Sequence, residues 1–341
     1  MNKSSIVKIL KYILSLIFAF GIIYLLFKNQ DPIQLIEEIK RVNIEWVVLS
    51  MIFGGWAIVN RGLRWIVLID ALGYKSSKSN AIGAVAILYF TNLFIPRGGE
   101  ITRCTSMNQV EKIPIEKLFG TIIIERIIDF VFLFGLMFIA IILKFDDILK
   151  FYTAIQNQQP EGTSGQNYTL IVIAISTIII CLFFLKKLIK KSNIYIKILS
   201  FIDGIKEGVN SIKNMKKKSV FWFHTCSIWI MYFLMTYVCF FSITETSNLT
   251  LVDGVFLLVI GGIGMVIPTP GGIGSYHAIV MIGLSVLGIG TASFGGSSDS
   301  SNPALLFPTI IHAGQTLMVI IMGLIGMLVL FLSKKNNHVK S

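Results

Sequence analysis

NLFIPRGGEITRC, residues 92–104, interrupts an apolar stretch with a proline, two glycines and three charges. GMVIPTPGGIGSYH, residues 264–277, repeats the Ile-Pro step and the Gly-Gly pair without the charges. The flanking apolar pieces run to roughly 15 residues, short for crossing a hydrocarbon core that takes about 20. Irregular backbone at membrane depth must be buried in protein or line a wet cavity. Each stretch therefore reads as a re-entrant hairpin, over residues 81–104 and 252–290. Pro96, Gly98 and Gly99 form the first turn; Pro268, Pro270, Gly271, Gly272 and Gly274 form the second. Glycine permits the sharp bend and close backbone approach. Proline fixes φ and removes N–H donors.

The rest of the chain supports a membrane setting. Of 341 residues, 54% are hydrophobic and 14% are charged, against about 25% charged in a soluble domain. Full spans are expected at 12–27, 44–60, 118–143, 169–185, 219–241 and 305–332. The N-terminal run lacks a small-residue cleavage site and reads as a retained helix. With the N-terminus in the cytoplasm, 24 of the 30 Lys and Arg fall in cytoplasmic segments, as the positive-inside rule requires. The first hairpin then enters from the cytoplasm and the second from outside. The fold class is an all-α integral membrane protein, with six full spans and two opposed re-entrant hairpins in an inverted-repeat layout. It forms one polytopic domain over 1–341, with inverted units at about 44–143 and 219–332 and no soluble catalytic domain. Both termini are expected in the cytoplasm.

Smaller features fit this layout. Residues 186–218 carry many lysines with isoleucines at helical spacing, which reads as an interfacial helix on anionic lipid or an ordinary solvated connector. Residues 31–46 suggest a short surface helix on the outside. Residues 156–169 and 290–303 read as flexible outside loops. Cys104, Cys181, Cys226 and Cys239 have no CxxC partner and read as apolar packing residues. No metal site and no cofactor are expected.

Paired interruptions in two opposed halves point to a transporter's substrate site. Arg97, Glu100 and Arg103 lie in or just after the first turn. The next span carries IIIERIIDFVFLF, residues 122–134, with Glu125, Arg126 and Asp129. Glu125 and Asp129 share a helix face, with Arg126 about 100° around. Each charge costs about 2.5–3.5 kcal/mol at a helix centre on insertion scales, so partners are required; Arg103 and Arg97 are the candidates for Glu125. The cluster is either a structural ion-pair network or a polar site that also meets substrate. Ser275, Tyr276 and His277 follow the second turn, and His312 and Gln315 lie in the last span. These residues complete a candidate polar cavity.

NLFIPRGGEITR, IIIERIIDF and IPTPGGIGSYH, in this order, resemble the lysylphosphatidylglycerol synthase transmembrane-region family, which includes the flippase half of the multiple peptide resistance factors. The resemblance runs from about residue 12 to residue 332. It implies a bacterial plasma-membrane protein that moves polar lipids between leaflets. By position, Pro96, Gly99, Glu100, Arg103, Glu125, Arg126, Asp129, Pro270, Gly271, Gly272 and Gly274 carry over. Two departures stand out. Many members have a glutamate where this chain has Tyr276-His277, and the aminoacyl-transferase domain of full-length synthases is absent, so lysyl-lipid synthesis is not implied.

The function expected is a lipid flippase for a polar or anionic headgroup. Arg103 and Arg126 would meet phosphate with their planar donor forks. Glu100, Glu125 and Asp129 would hold the arginines or meet a headgroup amine. There is no GxxxxGK[ST] loop for nucleotide and no recognised catalytic motif, so no enzyme is expected. The alternatives are a membrane-embedded enzyme, or an accessory subunit, in phospholipid or polyprenyl-phosphate metabolism. Membrane lipids are the expected partners, a separate lipid-modifying enzyme is a candidate, and nucleic acid is not expected.

Overall fold

The computed structural model describes residues 3–28, 30–157, 215–292 and 302–340. Among them every regular element is helical. In chain order these are α1 (Lys3–Phe27), α2 (Pro32–Arg41), α3 (Ile44–Ala71), α4 (Lys78–Phe94), α5 (Gly99–Glu111), α6 (Ile115–Leu143) and α7 (Phe145–Asn157). Then come α8 (Lys218–Val238), α9 (Leu251–Val266), α10 (Ser275–Val286) and α11 (Pro303–Lys340). Local sequence sets the starts. Asp31 and Asn43 accept backbone N–H bonds at the first turns of α2 and α3, and Thr250 with Asp253 forms a capping box on α9, satisfying donors that a helix start leaves unpaired.

The chain divides into two units, Met1–Leu143 with Met215–Ser341, and Lys144–Asn214. In the second, Asp146 and Asp147 occupy the first turn of α7, where carboxylates suit the positive helix end, and Lys144 pairs with Asp147 at 2.9 Å. The span expected at 169–185 and the basic stretch at 186–218 lie almost wholly outside the described residues. So do most of the two expected loops.

In the first unit, four helical stretches are long and apolar enough to cross a membrane: Ile44–Ala71, Ile115–Leu143, Lys218–Ser242 and Pro303–Lys335. A fifth is added if α1 and α2, bent by 88° at their junction, count as one span. The short helix expected after residue 31 is α2. One expected boundary moves: the span set at 44–60 continues to Ala71 as part of α3. Arg61 and Arg64 stay helical and buried because carboxylates meet them inside the bundle, so they do not belong to a cytoplasmic connector.

Helix α3 packs on α8 and α4, α4 on α11 and α5, and α9 on α10 and α6. Small residues let backbones approach closely in such bundles. A Cβ on Gly326 of α11 would lie 2.6 Å from the Gly83 carbonyl oxygen of α4. Trp65, Val85, Phe221, Phe240 and Phe307 are fully buried. The outer faces of α6 (Val131, Phe134, Phe138) and α11 (Leu324, Leu328, Phe331) are exposed and apolar, as lipid-facing helices require.

Both interrupted stretches are helix–turn–helix pairs. In the first, α4 ends at Phe94 and α5 begins at Gly99. The left-handed residue in this turn is Arg97, with φ of 59°, whereas Gly98 has φ of −71°. Gly99 serves close approach instead: a Cβ there would strike the Leu88 carbonyl oxygen. Its N–H donates to Asn92 Oδ1 at 2.9 Å. In the second pair, Pro270–Gly272 makes a 3-10 turn between α9 and α10, and Gly271, Gly272 and Gly274 all have positive φ, the conformation glycine adopts without penalty.

Candidate functional site

The two turns meet. Arg97 donates from Nη2 to the carbonyl of Val266, the last residue of α9, at 2.9 Å. A Cβ on Gly271 would sit 3.2 Å from Leu93 Cδ2. Arg97 is therefore a tie between the two broken pairs and is not the partner of Glu125 that its position in sequence offered.

The charges of the first pair assemble with two arginines of α3. Arg61 and Arg64 are three residues apart and so project from one face. On α6, Glu125 and Asp129 are four apart and face them. Arg64 grips Asp129 with Nη1 at 2.8 Å and Nη2 at 3.1 Å, and its Nε lies 3.4 Å from Glu125 Oε1. Glu125 also takes Arg103 Nη1 at 2.7 Å. The Arg103 guanidinium lies 3.7 Å from the centre of the Trp65 ring, and Trp65 in turn donates to Thr121 at 2.7 Å. Arg64, Arg103 and Glu125 are each 0% exposed. Burial raises the electrostatic stakes of this core. Coulomb attraction strengthens as the dielectric falls, but each ion has lost its water.

The outer part of the cluster is more open. Arg61 donates to Tyr232 at 3.1 Å and to Asp129 Oδ2 at 3.3 Å. Tyr232 and Tyr89 share a 3.0 Å hydroxyl contact. Arg126, 38% exposed at its side chain, pairs with Glu100 at 2.6 Å and stands 4.0 Å from Asp129. The structure thus brings together Glu100, Arg103, Glu125, Arg126 and Asp129, and adds Arg61, Arg64, Tyr89 and Tyr232. Two arginines at i, i+3 inside the apolar run 44–71 were the available signal for the α3 contribution.

This outer part opens onto a cavity of about 420 Å³. Arg61, Tyr89, Arg126, Asp129 and Tyr232 supply its charged and hydroxylated wall. Phe130 and Leu133 of α6, Leu257, Leu258 and Met265 of α9, and Met318 and Val319 of α11 supply apolar walls. Tyr276 of α10 and Gln315 of α11 also border it. Gln315 meets α3 at Gly54, seven residues before Arg61 and so roughly 10 Å away along the helix. Its Nε2 donates to Ser50 Oγ at 2.7 Å.

The residues after the second turn divide. Tyr276 lines the cavity. Ser275 is buried and exchanges a 2.7 Å contact with Thr269, bracing the turn. His277 packs against His312 with ring centres 4.8 Å apart. His312 reaches the Gly271 carbonyl at 2.9 Å through Nε2, so α11 holds the turn from behind. Among the described residues no group of three or more His, Cys, Asp or Glu has the arrangement of a metal site.

Comparison with known proteins agrees with this picture at the level of family. Residues 12–298 match the family described as Lysylphosphatidylglycerol synthase TM region, and the chain belongs to that family. It is also similar to UPF0104 membrane protein MJ1595 of Methanocaldococcus jannaschii, at 24% identity over 308 residues. The match covers 83% of this chain and 87% of that protein. No solved structure matches.

Proposed function

We propose that this member of the lysylphosphatidylglycerol synthase transmembrane-region family is a lipid transporter of the flippase type, which passes a polar headgroup through the cavity between its two broken helix pairs. The observation that carries this reading is the cavity's composition: charged and hydroxylated side chains from α3, α6 and α8 beside apolar ones from α6, α9 and α11, with Tyr89 of the first pair and Tyr276 of the second at its border. A lipid has the same division. Its headgroup needs fixed polar partners inside the membrane, while its tails need none. Charges at the centre of a membrane span cost about 2.5–3.5 kcal/mol each on insertion scales, and ionisable residues within spans mark substrate pathways and relays.

In this reading the arginines have different roles from those first assigned. Arg103 is spent on Glu125 and Trp65, so it stiffens the site. Arg61 and Arg126 face the cavity and meet the headgroup. Both broken pairs are re-entrant hairpins of opposite orientation, and the contacts of Arg97 with Val266 and of Leu93 with Gly271 form the seam that opens and closes. The setting is the plasma membrane, with both termini cytoplasmic.

Reconstitution tests this. Purified protein in liposomes should move labelled phospholipid between leaflets with its mass unchanged, and Arg126→Gln should slow that movement at least several-fold while the protein stays folded. A lipid of altered mass would make the protein an enzyme. No movement and no alteration, from folded protein, would leave the accessory-subunit reading.

A further inference from the structure

We infer that the cavity selects a lipid headgroup bearing one uncompensated negative charge, a phosphodiester whose alcohol carries hydroxyls and no amine, held between Arg61 and Arg126. This rests on the reading of the cavity as a lipid site and adds the chemistry of the occupant. The first observation is charge balance. Among the described residues the cluster joins four guanidinium groups, of Arg61, Arg64, Arg103 and Arg126, to three carboxylates, of Glu100, Glu125 and Asp129. It therefore holds one excess positive charge in surroundings where an uncompensated charge is costly.

The second observation is where the spare donors lie. Arg64 and Arg103 also keep unpartnered donors, at Nε and, in Arg103, at Nη2, but they are paired with carboxylates in the buried core and do not line the cavity. Arg61 and Arg126 line the cavity, flank Asp129, and each keeps an Nε with no hydrogen-bond partner. Trp229 also lines the cavity, and its indole N–H is buried and unpartnered. Indole N–H groups and guanidinium groups only donate, so this wall asks for an acceptor. A phosphodiester supplies two anionic oxygens in the geometry that guanidinium groups match.

A headgroup ammonium finds no free carboxylate on this wall among the described residues. Asp129 is the one carboxylate lining the cavity among the described residues, and it is already held by Arg64 and Arg61. Two of the aromatic rings on this wall are also engaged. The Arg61 guanidinium sits 5.6 Å from the Tyr89 ring centre, and Trp229 stacks on Phe132 at 5.8 Å. Gln315 Oε1 is unpartnered on the same cavity. It is a neutral acceptor that fits a hydroxyl, whereas an ammonium would leave its charge uncompensated.

The test is a headgroup panel on the unaltered protein, read in two ways. In liposomes, labelled phosphatidylglycerol, phosphatidylethanolamine, phosphatidylcholine and an aminoacylated phosphatidylglycerol are compared for movement between leaflets. In detergent, the same lipids and soluble glycerol phosphate are compared for the rise in melting temperature. Phosphatidylglycerol should move at least ten-fold faster than the amine-bearing lipids and give the largest rise. Trp229→Phe, which keeps the ring and removes the donor, should reduce that preference several-fold. Equal movement and equal stabilisation across the panel would overturn the inference while leaving transport intact. So would preference for an amine-bearing lipid, or stabilisation by glycerol phosphate equal to that by the lipid. Selective stabilisation by phosphatidylglycerol without movement of any lipid would uphold the inference and sink the transport reading.

Discussion

Arg64 is the residue on which the cluster depends most. It contacts both Glu125 and Asp129 of α6, while Arg103 contacts Glu125 alone. Removing one member of a buried ion pair costs about 3–5 kcal/mol, because the other is left charged and unsolvated. Arg64→Met should therefore sit at the high end of that range. Arg103→Met should sit nearer the low end, since Glu125 keeps Arg64 at 3.4 Å. Pairing Arg103→Met with Glu125→Leu should recover part of the loss. Melting temperatures of the single and double variants check the order; equal effects of the two arginines would mean that these contacts do not set the energetics. Arg126→Gln should behave differently. Its partly exposed pair with Glu100 should contribute about 1 kcal/mol or less, so stability should barely change while lipid movement falls. A large drop in melting temperature without loss of transport would make Arg126 a structural residue.

At the scale of elements, the two breaks use glycine for different ends. Gly99→Ala should push α5 off α4, because its Cβ meets the Leu88 carbonyl oxygen, and backbone cannot yield as a flexible side chain can. A lower yield of folded protein is expected. Gly272→Val should act on function as well as on yield, since a β-branched residue resists the φ of 80° at that position and its Cβ would crowd Met265 at the cavity. Normal transport and expression in this variant would show the second turn to be an ordinary connector. The existence and order of the broken pairs were legible from Pro-Gly steps in apolar runs, and Arg103 with Glu125 from spacing alone. Arg61 and Arg64 were hidden by an early end to the α3 span. Two charges three apart look like a cytoplasmic flank unless their partners, more than sixty residues away in sequence, are known. Arg97 was misleading for the opposite reason: proximity in sequence offered it to Glu125, but its left-handed backbone turns it to the other pair.

For the whole molecule, apolar outer faces, a buried charged core and family membership identify a multi-pass membrane protein. The proposed opposed orientation of the two pairs requires a fixed topology. In a cysteine-free background, single cysteines replacing Ser297 and Asn157 should be labelled by an impermeant reagent in intact cells, and one replacing Ser211 should not. Labelling at Ser211 alone would reverse every span. The most direct measurement of the central claim, that lipid enters the cavity, is photo-crosslinking with phosphatidylglycerol carrying a reactive group beside its phosphate, followed by mapping of the adducts. Adducts should fall at the cavity wall, on Phe130 and Leu133 of α6 and Met265 of α9, and should be lost in Arg126→Gln. Adducts confined to the exposed outer faces, at Phe134, Phe138 and Phe331, and unchanged by Arg126→Gln, would show that lipid only surrounds the protein.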